Sequence, residues 1–205
     1  MALKIHTLDA LREFLPENTF EPVAAYLHQY KIHLKLKKDR STVLGDYRPA
    51  HAHQPHTISV NASLNPYHFL LTLLHELAHL LTHEQYGRRV LPHGKEWKRA
   101  YAQLISGFIS ARVFPADIEG ALKKTLAAAP ASSCSDPVLY RVLKQYDIHP
   151  ERGEMVEEIG IGNIFRTNKG ERFRVLAKRR TRYECIHLGN GHVYLFPGIY
   201  EVLAE

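Results

Sequence analysis

Two histidines four residues apart flank a glutamate in the run His75-Glu76-Leu77-Ala78-His79. On an α-helix, side chains four apart lie on one face, so both imidazoles can reach one ion. Glu76, beside the first of them, then sits where it can hydrogen-bond a water held by that ion. Zinc lowers the pKa of such a water toward neutrality and polarises a carbonyl, while a neighbouring carboxylate accepts and returns a proton. The spacing therefore reads as metal-assisted hydrolysis. With 14 histidines in 205 residues the pattern can arise by accident, so context has to decide. Leu70, Leu71, Leu73, Leu74, Leu77, Leu80 and Leu81 surround it on nearly every side. Two imidazoles and a carboxylate buried in such a helix are costly unless they share a partner.

A catalytic zinc takes three protein ligands and keeps one position open. Three residues compete for the third place. His83 lies a turn beyond His79, but its direction drifts away from the pair as the helix winds. Glu96 offers a carboxylate at the start of the next helix. His93 is the preferred candidate, because the loop after His79 is long enough to turn back and present it, and Gly94 permits a close backbone approach. A metzincin arrangement would need a histidine at position 85, which is Gln85. His51, His53 and His56 form a second cluster, read as a solvated loop near the cleft mouth in preference to another metal site.

These residues need elements to position them. Asn65 followed by Pro66 marks a helix start, since Asn can cap free N–H groups and proline fits the first helical position. That helix is expected over 66–82, buried at the centre of the domain because leucines cover it all round. Before it, helices are expected over 8–15 and 22–30. Alternation over 31–37 predicts a strand with one buried face, a turn-rich stretch includes Gly45 and Pro49, and residues 57–61 (TISVN) predict a second strand. Preceding the zinc helix, this second strand is expected to lie along the cleft and pair with an extended substrate. Residues 87–92 read as a loop. A third long helix starts near Lys95, with Trp97, Tyr101, Leu104, Ile105 and Phe108 as its apolar stripe.

Residues 127–137 (AAAPASSCSDP) read as a linker, followed by a short helix over 138–146. From Met155 onward, β-branched and aromatic runs broken by glycines suggest a small antiparallel sheet or barrel. A hydrophobic fraction of 45% and a charged fraction of 23% exclude a disordered or fibrous chain. No apolar run is long enough to span a bilayer and no secretory leader is evident, so a cytoplasmic protein with no membrane contact is expected. Cys134 and Cys185 are too few for a disulfide framework.

The net charge of +6 is compatible with polyanion binding or with an ordinary basic surface. Lys169, Arg172, Arg174, Lys178, Arg179, Arg180 and Arg182 interleave with Phe173, Tyr183, Tyr194 and Phe196. Cations can neutralise phosphates and aromatic faces can stack on bases, so Lys178, Arg179, Arg180 and Arg182 are candidate contacts to single-stranded or distorted DNA. A half-exposed strand has the same alternation.

His75 to His79, then Tyr86-Gly87-Arg88, then Pro92-His93-Gly94-Lys95-Glu96-Trp97 resemble the SprT-like metalloprotease family, in which HELAH is followed by a PHGxxW-type segment. The resemblance is specific over 61–101. It implies one zinc per chain on His75, His79 and His93, with Glu76 as general base. It implies an α+β fold: a zincin-like metalloprotease domain over 1–126, with a small sheet packed on helices around the HExxH helix, then the linker and a small C-terminal β module over 138–205. It also implies a protein or peptide substrate, and in Spartan-type relatives the cutting of proteins trapped on DNA. Family members commonly carry a C-terminal zinc ribbon. Here Arg182 to Gly189 resembles its second knuckle, but Leu188 replaces a cysteine, so the ribbon is degenerate.

Two rivals remain. A deformylase-like hydrolase would take an upstream cysteine ligand, and no cysteine precedes Cys134. A DNA-binding or scaffolding protein with a vestigial zinc site is the non-enzymatic alternative.

Overall fold

The structure, a computed structural model of the chain, describes residues 8–38, 40, 43–128, 136–147 and 153–205. They divide into two compact units, Met1–Asp147 and Ile148–Glu205. In the first, a short 3₁₀ helix (Leu8–Phe14) and α1 (Phe20–Gln29) precede β1 (His33–Lys37), β2 (Gly45–Arg48) and β3 (Thr57–Asn61). Next come α2 (Pro66–Tyr86), α3 (Lys95–Ser110), α4 (Ala116–Ala128) and α5 (Pro137–Lys144).

The three strands form a sheet in the order β1-β3-β2, with β1 parallel and β2 antiparallel to β3. The alternation in β1 buries Leu36. β3 is central, and Ile58, Ser59, Val60 and Asn61 are all buried. Its position corrects one expectation: both edges of β3 are paired, so TISVN has no main-chain groups left for a substrate strand. Part of the stretch expected as turns is instead β2, an edge strand packed against α2.

α2 passes through the middle of the core. Phe69, Leu70, Leu73, Leu74, Leu77 and Leu80 are fully buried, which follows from apolar residues on all of its faces. Its start is held as the sequence suggests. Asn65 accepts the His68 N–H at 3.0 Å, and its own amide donates to Leu143 O at 2.8 Å and Asp147 Oδ1 at 2.7 Å. One buried side chain thus caps α2 and ties it to the end of α5. Leu139 and Leu143 join the same core, so α5 belongs to the first unit; the boundary expected at residue 138 lies too early. Most of the expected linker, with Cys134, lies outside the described residues.

The second unit is a six-stranded sheet in the order β4-β9-β5-β6-β7-β8, formed by β4 (Glu154–Met155), β5 (Ile164–Arg166), β6 (Arg172–Arg179), β7 (Arg182–His187), β8 (Val193–Pro197) and β9 (Glu201–Ala204). A one-turn helix, α6 (Val156–Ile159), follows β4. All described pairings in this sheet are antiparallel. Phe165, Phe173, Val175, Tyr183, Cys185 and Val202 fill its core. The segment resembling a ribbon knuckle is strand β7, and burial raises the Cys185 thiol to about 11. Among the described residues no helix is long and apolar enough to cross a membrane.

Asn65→Ala should lower the unfolding free energy of the first unit by about 2 kcal/mol, from a lost cap plus the lost buried hydrogen bonds to Leu143 O and Asp147. Asn65→Ser, which keeps the capping oxygen only, should lose about half as much. Urea denaturation of both variants checks the ranking.

Candidate metal centre

His75 and His79 project from the same face of α2, and His93 reaches them from the loop before α3. The three Nε2 atoms form a near-equilateral triangle. His75 and His79 are 3.2 Å apart, His79 and His93 3.1 Å, and His93 and His75 3.1 Å. Hydrogen bonds cannot account for all three contacts, because each facing nitrogen offers either one proton or one lone pair, and a proton points at one neighbour. A common cation can. Zinc–nitrogen bonds of about 2.05 Å at tetrahedral angles would put the nitrogens about 3.3 Å apart, close to the triangle observed. Among the described residues this is the one group of three or more such side chains whose donors converge to hold a metal ion.

The surroundings keep the imidazoles neutral, with lone pairs available. Burial, then the neighbouring His79 and His93, pushes His75 down to about 3. Burial and His93 push His79 down to about 4, and burial lowers His93. Trp97 supplies much of the apolar wall. Its ring centroid lies 4.7 Å from that of His75, 5.3 Å from His79 and 4.6 Å from His93, and Tyr101 stacks behind it at 5.1 Å.

His93 carries a positive φ of 58°, a left-handed backbone that a non-glycine residue adopts at a cost of order 1–3 kcal/mol. Gly94 follows in extended geometry, where a Cβ would come within 3.0 Å of the Leu91 carbonyl. The chain turns tightly there to aim the ring.

Glu76 lies one residue past His75 and is 7% exposed. Burial, reinforced by the charge of Asp46, raises its carboxyl to about 7, although the Tyr47 backbone N–H and the charge of Arg40 pull the other way. The edge strand β2 runs directly against this carboxyl: a Cβ on Gly45 would come 2.7 Å from Glu76 Oε1.

The other candidates go elsewhere. His83 packs beside Tyr47 and His56, and Glu96 lies 3.9 Å from Lys95 Nζ. His51 and His53 are exposed in the β2–β3 loop, but His56 is half-buried and hydrogen-bonded. Lys178, Arg179, Arg180 and Arg182 come together as exposed residues around the β6–β7 turn, with Arg179 paired to Glu184 at 2.9 Å. The expected aromatic platform is not displayed with them: Phe173 and Tyr183 are inside the second core, and Tyr194 is the largely exposed aromatic of the four. In the sequence Gly45 reads as part of a turn and Tyr47 carries no signal, while Trp97 shows as core and as the end of the PHGxxW-type segment, with nothing to place it against the imidazoles.

A model of the SprT-like family matches residues 11–117. Protein SprT of Pseudomonas fluorescens (strain SBW25) is 38% identical over 72 residues, covering 33% of this chain and 40% of the relative. Protein SprT of Pseudomonas aeruginosa (strain LESB58) is 51% identical over 35 residues, covering 17% of this chain and 21% of the relative. The chain thus spans less than half the length of these relatives. No solved structure matches it.

Trp97 is the single tryptophan and touches all three imidazoles, so its fluorescence should report metal at this centre. Titrating the metal-free protein with Co²⁺ should quench the emission, with one equivalent sufficient. His93→Ala should abolish the response and lower zinc content in native mass spectrometry from one ion per chain to near none. Full zinc retention by that variant would remove His93 from the centre.

Proposed function

Since the chain belongs to the SprT-like family, we propose that it is a zinc-dependent endopeptidase, with His75, His79 and His93 as metal ligands and Glu76 as general base. The observation that carries this reading is the meeting of three Nε2 atoms within 3.2 Å, two of them from the helix that also bears Glu76 and the third from the loop before α3. When bound, zinc would activate water and polarise a peptide carbonyl.

The remaining roles fall to the chain itself. The three imidazoles hold neutral lone pairs at a fixed point, which burial secures at neutral pH. Glu76 is buried next to His75, and in this reading its carboxylate is the proton carrier. It accepts a proton from the attacking water and delivers one to the departing amine. Trp97 and Tyr101 exclude water from one side of the ligands, which strengthens electrostatic interactions there. With β3 paired on both sides, main-chain recognition of an extended substrate would fall to an edge strand, β1 or β2.

We assign unfolded or DNA-associated proteins as the substrate class. Support comes from the four exposed cations Lys178, Arg179, Arg180 and Arg182, which can hold a polyanion through phosphate contacts alone. Without an aromatic platform, such binding would be sequence-independent and strongly weakened by salt.

Glu76→Gln keeps the shape and the metal ligands but removes the proton acceptor. Cleavage of casein should fall by about 10²- to 10⁴-fold while one zinc per chain is retained. Undiminished cleavage by this variant would end the mechanism.

A further inference from the structure

His56, from the histidine cluster of the β2–β3 loop, has a hydrogen-bonding role that the metal centre does not use. The Tyr47 hydroxyl lies 3.0 Å from His56 Nδ1, the two rings stack with centroids 5.9 Å apart, and the Ala50 N–H donates to the same nitrogen at 3.2 Å. A ring nitrogen that accepts carries no proton, so the His56 proton is assigned to Nε2. That nitrogen faces Glu84 Oε1 at 3.4 Å, and Glu84 belongs to the last turns of α2. His83 covers the Tyr47 ring from the same helix, with centroids 6.2 Å apart.

Residue 47 is therefore tied to α2 twice. Its backbone N–H acts on the Glu76 carboxyl, against which β2 is closely packed, and its hydroxyl reaches His56, whose Nε2 faces Glu84. The two anchor points are eight residues apart, about 12 Å along the helix. At the start of β2 the strand lies so close to α2 that Gly45 has no room for a side chain: a Cβ would be 2.7 Å from Glu76 Oε1 and 2.8 Å from Thr72 Cγ2. These side chains are not a second metal site, since the converging donors among the described residues are those of His75, His79 and His93. Nor is stability their main product, because Glu84 is 46% exposed and a contact that open to solvent adds little.

We propose that Tyr47, His56 and Glu84 form a positioning relay that clamps the edge strand β2 onto α2 and so sets the direction of the Glu76 carboxylate beside the three histidines. The relay acts through Glu76, touches no reacting atom, and rests on the peptidase reading above. Its members come from a strand, a loop and the far end of the zinc helix, so the device fixes how β2 lies against Glu76.

Two measurements test it. In the metal-free protein, amide exchange followed by NMR should show the Tyr47 N–H exchanging about ten-fold faster in His56→Ala and in Glu84→Ala, with α2 amides unchanged. In a casein-derived peptide assay on the zinc-loaded protein, both variants should lose about ten-fold in kcat with KM and zinc content unchanged, the pattern of a displaced catalytic group. Glu84→Gln, which keeps an acceptor for the His56 Nε2–H, should restore both values, and Tyr47→Phe should match His56→Ala. A merely structural role would lower the melting temperature without splitting kcat from KM. Unchanged Tyr47 exchange in both alanine variants overturns the clamp, and faster exchange with wild-type kcat overturns its positioning role. If the wild-type protein cleaves nothing, the peptidase reading fails by itself, and the exchange experiment still decides whether the clamp exists.

Discussion

Three imidazole nitrogens held about 3 Å apart inside an apolar shell are the constraint around which the first unit is arranged. The leucine-covered α2 fixes His75 and His79, and the tight turn at Leu91 to Gly94 fixes His93 at a strained backbone angle. Trp97, at the start of α3, packs on all three rings. The strain at His93 is held by the surrounding packing, and a residue free to relax to negative φ would aim its ring elsewhere.

Much of this was legible beforehand because it depends on local rules. The spacing of His75 and His79, the Asn65-Pro66 start and the all-round leucines are properties of a single helix, and the structure shows each of them. β2 was not legible. Gly45-Asp46-Tyr47-Arg48 is short, has a single large apolar side chain and includes a glycine, so it reads as a turn. It becomes a strand because β3 offers a free edge and because Gly45 lets it lie directly on α2, both consequences of tertiary contact. The expectation that TISVN would meet substrate failed for the same reason, since strand order cannot be read from the order of segments along the chain.

The second unit shows a different limit. The alternation of cations with aromatics was correctly seen as a strand pattern, but alternation is ambiguous between a binding face and a core face. The fold resolves it by turning Phe173 and Tyr183 inward. What is left on the surface is charge, concentrated at the β6–β7 turn. Cys185 is likewise explained by packing: it fills the second core as an apolar thiol.

A single cause tunes the whole centre. Desolvation is the largest influence on His75, His79, His93 and Glu76 alike, yet it moves them in opposite senses, because it disfavours the charged form of each. Bases become neutral and open to a cation, while the acid rises to where it can exchange a proton near neutral pH. Below pH 7 the unmetallated site consequently tends toward no net charge, and the helix can bury it without the several kcal/mol that each isolated ion would cost. A leucine-rich helix is therefore a sound place for this chemistry. The same apolar surroundings that make the polar residues look misplaced in the sequence are what hold the imidazoles neutral, as metal binding requires.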